Sequence, residues 1–255
     1  MSETLIDALD ARSGIVCAIG AGGKKTTLYA LAGAHPGRFG LTCTVFMASF
    51  SRTLGVERLV TEARDLPAAV AAAAQGGQSL AWARPSEKSG RVGGIPPEEV
   101  AACHAAAGFD VTLVKADGAR MRALKAPRAD EPVVPAEADT VLCLASAAAL
   151  GQPLDENIAH RPERVAAVTG IEPGKPITPA GLAALLASPH GALQNLPSRA
   201  RVIPVINAVD DSARAEGARA AAEIALAASD RFDRVVLTSH AHGPHVVACI
   251  ERGRP

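Results

Sequence analysis

The chain has 255 residues, 48% of them hydrophobic, and its 26 Lys and Arg balance its 26 Asp and Glu. That is an ordinary globular composition, long enough for one large α/β domain. Zero net charge argues against bulk attraction to nucleic acid or to an anionic membrane, so neither is expected as a partner.

Aromatic residues make up 3% of the chain, so the predicted core is built from Ala, Val, Leu and Ile. The five cysteines, Cys17, Cys43, Cys103, Cys143 and Cys249, lie far apart without a C-x-x-C pair. An odd count of this kind fits a reducing compartment. The first residues are acidic rather than signal-like, and no apolar run reaches the length of a membrane span. The expected location is the cytoplasm.

In chain order, residues 4–11 read as a short opening helix and residues 14–19 as a fully apolar first strand, of the kind buried in a parallel sheet. Gly20-Ala21-Gly22-Gly23-Lys24-Lys25-Thr26-Thr27 follows and runs into a helix ending near Ala34. Strand, glycine loop and helix together make a phosphate cradle. Glycines let backbone N–H groups turn toward an anion, and the helix start adds unpaired donors and the positive end of its dipole. A lysine there can meet phosphates, and a Thr hydroxyl can ligate Mg²⁺. The pattern departs from G-x-x-x-x-G-K-[ST], because two lysines follow the last glycine. Lys25 with Thr26 is the preferred functional pair, since it keeps Lys followed by Thr; Lys24 remains the alternative.

Residues 41–46 read as the second strand, 66–75 as a helix, 79–83 as a strand and 84–94 as an exposed loop. A helix is expected from Pro96 to about Ala107, with Glu98 and Glu99 in its first turn. Thr42, Thr44 and Ser49 could approach a ligand at a strand tip, although threonines are also common strand formers. Residues 109–116 form an apolar run ending in Asp117, which places a carboxylate at a strand tip where it can hold Mg²⁺. Lys25 and Asp117 are the expected catalytic residues, and Thr26 and Asp117 the expected metal ligands. A long loop around 118–135 carries Arg120, Arg122 and Lys125, which would suit anion contact.

Further strands are expected at 139–145, 201–207, 235–238 and 246–250, with helices starting at His160, Thr178 and Ser212. His240, His242 and His245 have metal-like spacing, but the intervening Gly-Pro and the lack of a nearby carboxylate favour loop histidines. The persistent β/α alternation predicts a single α/β domain over 1–255: a doubly wound, mostly parallel sheet with helices on both faces.

Several strings then fall in one order: the glycine loop, Ala116-Asp117-Gly118-Ala119, Leu124-Lys125-Ala126-Pro127, Glu131-Pro132-Val133-Val134-Pro135, His160-Arg161-Pro162-Glu163 and Ile206-Asn207-Ala208-Val209-Asp210. Their order and spacing resemble the selenium-dependent hydroxylase accessory protein family, the YqeC group. The resemblance implies a P-loop NTPase-like nucleotide-binding protein that uses ATP or GTP with Mg²⁺. It would serve molybdenum hydroxylase maturation, with the hydroxylase or its cofactor-assembly machinery as partner. It implies phosphate contact from Gly20 to Thr27, including Ala21, Gly22, Gly23 and Thr27. Asn207 and Asp210 would lie at the base, and Arg120, Lys125, His160 and Arg161 would face substrate or partner. The chain departs from the family pattern at the extra lysine of the Lys24-Lys25 pair, at Lys115 in place of Glu, at Phe46 in place of His, and at Ala208 in place of Lys. A small-molecule kinase or transferase, or a nucleotide-binding chaperone without turnover, are the other readings.

Overall fold

The structure, a computed structural model, describes residues 4–241, 243 and 245–253. In chain order, α1 (Leu5–Ala8), β1 (Gly14–Gly20), α2 (Lys24–Ala34), β2 (Phe39–Cys43) and β3 (Met47–Ala48) come first. Then follow β4 (Glu57–Val60), α3 (Leu66–Ala73), β5 (Leu80–Ala83), β6 (Arg91–Val92), α4 (Pro97–Ala107) and β7 (Val111–Lys115). The second half holds β8 (Leu124–Lys125), β9 (Thr140–Ser146), β10 (Ala159–His160), α5 (Pro162–Thr169), α6 (Pro179–Ala187), β11 (Arg201–Asn207), α7 (Ser212–Ala228), β12 (Arg234–Ser239) and β13 (His245–Glu251).

Nine of these strands, among the described residues, form one sheet in the order β13-β12-β11-β9-β1-β7-β2-β5-β4. Neighbours run parallel except at the β12–β13 edge. The sheet is doubly wound, as the β/α alternation predicts. Alternate β1 residues face opposite layers: Ile15, Cys17 and Ile19 pack under the layer holding α3, α4, α6 and α7, while Val16 and Ala18 pack under α1 and α2. The alanines of α7, among them Ala218, Ala221, Ala222 and Ala225, are fully buried and let the helix lie close. No helix among the described residues is long and apolar enough to cross a membrane.

The second strand starts earlier than its sequence suggests, at Phe39 rather than Leu41. Gly40 leaves room for the Trp82 indole against the strand backbone, where a Cβ would lie 2.5 Å from the ring. The strand ends at Cys43, and the Thr44 hydroxyl turns aside to donate to the Val133 carbonyl at 2.7 Å. Thr42 donates to the Trp82 carbonyl at 2.7 Å, so both hydroxyls hold backbone. β4 has no counterpart in the sequence reading. It is an edge strand whose Glu57, Arg58 and Val60 are exposed, and edge strands carry charge instead of an apolar signature.

The arrangement that matters for function is the adjacency of β1 and β7, paired from Gly14↔Val111 to Ala18↔Lys115. It sets the glycine loop beside Asp117. From β1 the chain passes to β2 on one side of the sheet and later to β9 on the other. Crevices at the carboxyl ends of strands around such a switch are where open α/β sheets bind ligands.

Candidate phosphate site

The loop between β1 and α2 is held tightly. Its Gly20 N–H donates to Asp117 Oδ2 at 2.9 Å, the Ala21 N–H to the Leu144 carbonyl at 2.8 Å, and the Gly22 N–H to the Arg122 carbonyl at 3.0 Å. Asn207, at the tip of β11, donates from Nδ2 to the Gly22 carbonyl at 2.9 Å and accepts the Thr238 hydroxyl at 3.0 Å. The first three amides of the cradle therefore brace the loop. The donors left for an anion are those that open α2, from Gly23 to Thr26, where a helix has no internal acceptors; the Thr27 N–H already donates to the Gly23 carbonyl at 2.9 Å.

Gly23 caps α2 at φ 127°, and a Cβ there would collide with the Asn207 amide. Gly23→Ala is expected to cost about 1–3 kcal/mol of stability through backbone strain. It should also push the helix start away from Asn207. A melting curve together with phosphate binding checks both effects.

Lys24 and Lys25 part company at this helix start. Lys24 is 6% exposed, and its Nζ lies 2.9 Å from Asp117 Oδ1 while also donating to the Gly20 carbonyl. Lys25, preferred in the sequence reading, points to the surface. Its Nζ donates to the Ser49 carbonyl at 3.2 Å and sits 5.1 Å from the centre of the Tyr29 ring. Thr26 is exposed; Thr27 is buried, with its hydroxyl 3.3 Å from His240 Nε2.

Asp117 is the centre of a buried charge network. Its Oδ2 takes the Lys125 ammonium at 2.8 Å in addition to the Gly20 N–H. Lys125 also pairs with Glu131 at 2.9 Å, and Arg161 grips both oxygens of Glu131 at 2.8 and 3.0 Å. Lys115 donates to the Asp117 carbonyl at 2.6 Å and approaches the Phe46 carbonyl at 3.4 Å. With Arg128, whose Nε lies 3.6 Å from Glu131, five cations thus surround two carboxylates. Burial pushes the Lys24 ammonium pKa down, against the pull of Asp117. Burial and then the charge of Lys24 bring Lys115 down to about 8. Burial alone would raise Glu131, but the hydrogen bonds from Arg161 and Lys125 together take it down to about 2.

Lys115 gives a pH signature with two opposite signs. Its folded pKa of about 8 lies below its ordinary 10.5. Between those values the unfolded chain binds the extra proton, so this group makes stability rise with pH across the window. Over the same window the site loses a cation. Anion affinity should therefore fall by roughly tenfold above pH 8, an effect of about 1–2 kcal/mol for one nearby charge. Lys115→Met should flatten both profiles, as read by titration calorimetry and thermal melts from pH 7 to 10.

The remaining candidates take defined places. His160 lies on β10, paired with β8 through His160↔Lys125, and burial followed by the charges of Arg161, Lys125 and Arg120 lowers its pKa. The 118–135 loop is folded back on the nest. Arg120 and Met121 sit there at φ 46° and 61°, Arg161 opens α5 at φ 65° and Ala208 follows Asn207 at φ 61°. Left-handed non-glycine residues so grouped are a mark of functional sites. Asp210, expected near a base, accepts Ser239 at 2.6 Å on one oxygen and pairs with Arg214 at 3.1 Å on the other. His240 contacts Thr27, and His242 lies outside the described residues. A narrow recess reaches Asp117 and Lys125 between Leu144, Leu185 and Leu186.

The residues present fit an anion better than a side-chain-held Mg²⁺. Asp117 Oδ1 is buried, and the Lys24 ammonium already occupies it at 2.9 Å. Thr26 is two residues past Lys24, about 200° around the helix, so its hydroxyl leaves on the other side. Glu131 is fully engaged by Lys125 and Arg161. Among the described residues no group of three or more His, Cys, Asp or Glu could hold a metal. Pairing Thr26 with Asp117 around one ion is therefore not what this arrangement offers.

Sequence reasoning missed the role of Glu131 as the clamp on Lys125 and treated Lys115 only as a lost carboxylate. Helix phase could have found Lys24: it heads the stripe of buried residues Thr27, Leu28 and Leu31, which Lys25 does not join.

Fold and site together define a doubly wound α/β protein with a glycine-loop nest at the start of its second helix. The YqeC protein family model matches residues 16–163, and the chain belongs to that family. It is similar to the protein named "Uncharacterized protein YqeC" of Escherichia coli (strain K12), 34% identical over 118 residues. That match spans 46% of this chain and 46% of the Escherichia coli protein.

Proposed function

We propose that this chain binds the phosphate chain of a nucleoside triphosphate, ATP or GTP, at the nest from Gly23 to Thr27, and hydrolyses it. It does so as an accessory protein in the maturation of molybdenum hydroxylases, with the hydroxylase or its cofactor-assembly machinery as partner. The observation that carries the binding reading is the cation-rich network around Asp117, set against the free amides that open α2. Buried cations paired with too few carboxylates favour a multiply charged anion over any neutral ligand. Lys24 is placed to leave the Gly20 carbonyl for a phosphate oxygen, while Lys125 and Lys115 keep Asp117 fixed. The client role rests on the resemblance of the six sequence strings.

Titration calorimetry of the full chain with ATP and GTP tests the binding reading. Saturable binding that competes with inorganic tripolyphosphate is the expected result. Absence of binding to either nucleotide and to tripolyphosphate would end the proposal. Co-purification with a molybdenum hydroxylase, strengthened or weakened by nucleotide, tests the client.

A further inference from the structure

We infer that Lys24, Lys115 and Lys125 supply the positive charge that the phosphate chain requires, so that the nest takes its anion without a divalent cation. The inference rests on the reading of the nest as a phosphate site.

Three observations converge. Lys24 and Lys125 are 6% and 5% exposed, and both ammonium groups lie on Asp117, at 2.9 and 2.8 Å. Lys115 completes the ring from the carbonyl of the same residue, at 2.6 Å. Asp117 is itself 2% exposed, and its Oδ1 has the Lys24 ammonium as its partner. A Mg²⁺ ion asks for one or two free carboxylates beside the phosphates and several waters. Here the one carboxylate at the nest is neutralised twice over, and a dication next to it would meet two ammonium groups in a poorly solvated space. The same ammonium groups serve an anion well. Lys24 has three donors, so it can keep its hold on Asp117 and still reach a phosphate oxygen, while Lys115 and Lys125 add their charge from behind it. Asp117 in this arrangement is a positioning residue: it gathers the lysines and, through the Gly20 N–H, ties them to the loop.

The test measures ATP and tripolyphosphate binding to the full chain by titration calorimetry, once in EDTA and once in excess Mg²⁺. The expected result is dissociation constants within about threefold of each other, with Lys115→Glu weakening binding in EDTA by at least about tenfold and Mg²⁺ then restoring it. Binding by the parent chain only when Mg²⁺ is present would overturn the inference and leave the phosphate site standing. Binding under neither condition would remove both. A melting curve checks that Lys115→Glu folds. If it does not, Lys115→Gln keeps a donor to the Asp117 carbonyl and removes the charge, and unchanged affinity in EDTA for that variant would overturn the inference.

Discussion

Lys24→Ala should lower nucleoside triphosphate affinity by about 10- to 100-fold, the loss of one charge-assisted contact worth about 1.5–3 kcal/mol. Lys25→Ala should change it by less than about threefold, because the half-buried Lys25 turns its ammonium to the Ser49 carbonyl and the Tyr29 ring. The two residues are neighbours on the first turn of α2, with equal formal charge, so net charge cannot account for a difference between them. What separates them is direction. Lys24 is folded in toward Asp117 and the Gly20 carbonyl, while Lys25 lies over Tyr29 with its ammonium on Ser49. Parallel calorimetry of the two variants reads this directly, and the reverse order of effects would return the phosphate lysine to position 25.

Asp117→Ala is the substitution expected to destabilise the fold most. It strands the buried Lys24 ammonium, leaves Lys125 with Glu131 as its remaining carboxylate partner, and removes the acceptor of the Gly20 N–H. Breaking a buried ion pair from one side costs about 3–5 kcal/mol. For a chain of this size that is a drop of roughly 10 °C in melting temperature, at about 2–4 °C per kcal/mol. Asp117→Ala combined with Lys24→Met should recover part of the loss, because it removes the stranded charge along with its partner. A double variant no more stable than Asp117→Ala would mean that Lys24 relaxes to solvent without penalty.

Much of this was legible in the amino-acid order, because it depended on local pattern. The glycine loop, the Asp at the tip of β7 and the start of α7 follow from short-range signals: glycines, an apolar run that stops, and a long alanine-rich stretch. The doubly wound sheet follows from β/α alternation. What escaped was decided by distant partners. β4 exists because β5 offers it a ladder, not because its residues alternate. Glu131 gains its role from Lys125 and from Arg161, thirty residues on, and no spacing rule announces such a clamp. The choice between two adjacent lysines turned on helix phase, which the glycine–lysine motif obscured.

Arg161 holds Glu131, Glu131 holds Lys125, Lys125 holds Asp117, and Asp117 holds the main chain of Gly20. The start of α5, near the surface, is thus mechanically geared to the seat where an anion would lie. A protein that grips α5 and draws Arg161 outward would slacken every link inward of it, and an anion seated at Gly23 would pull the same train from its other end.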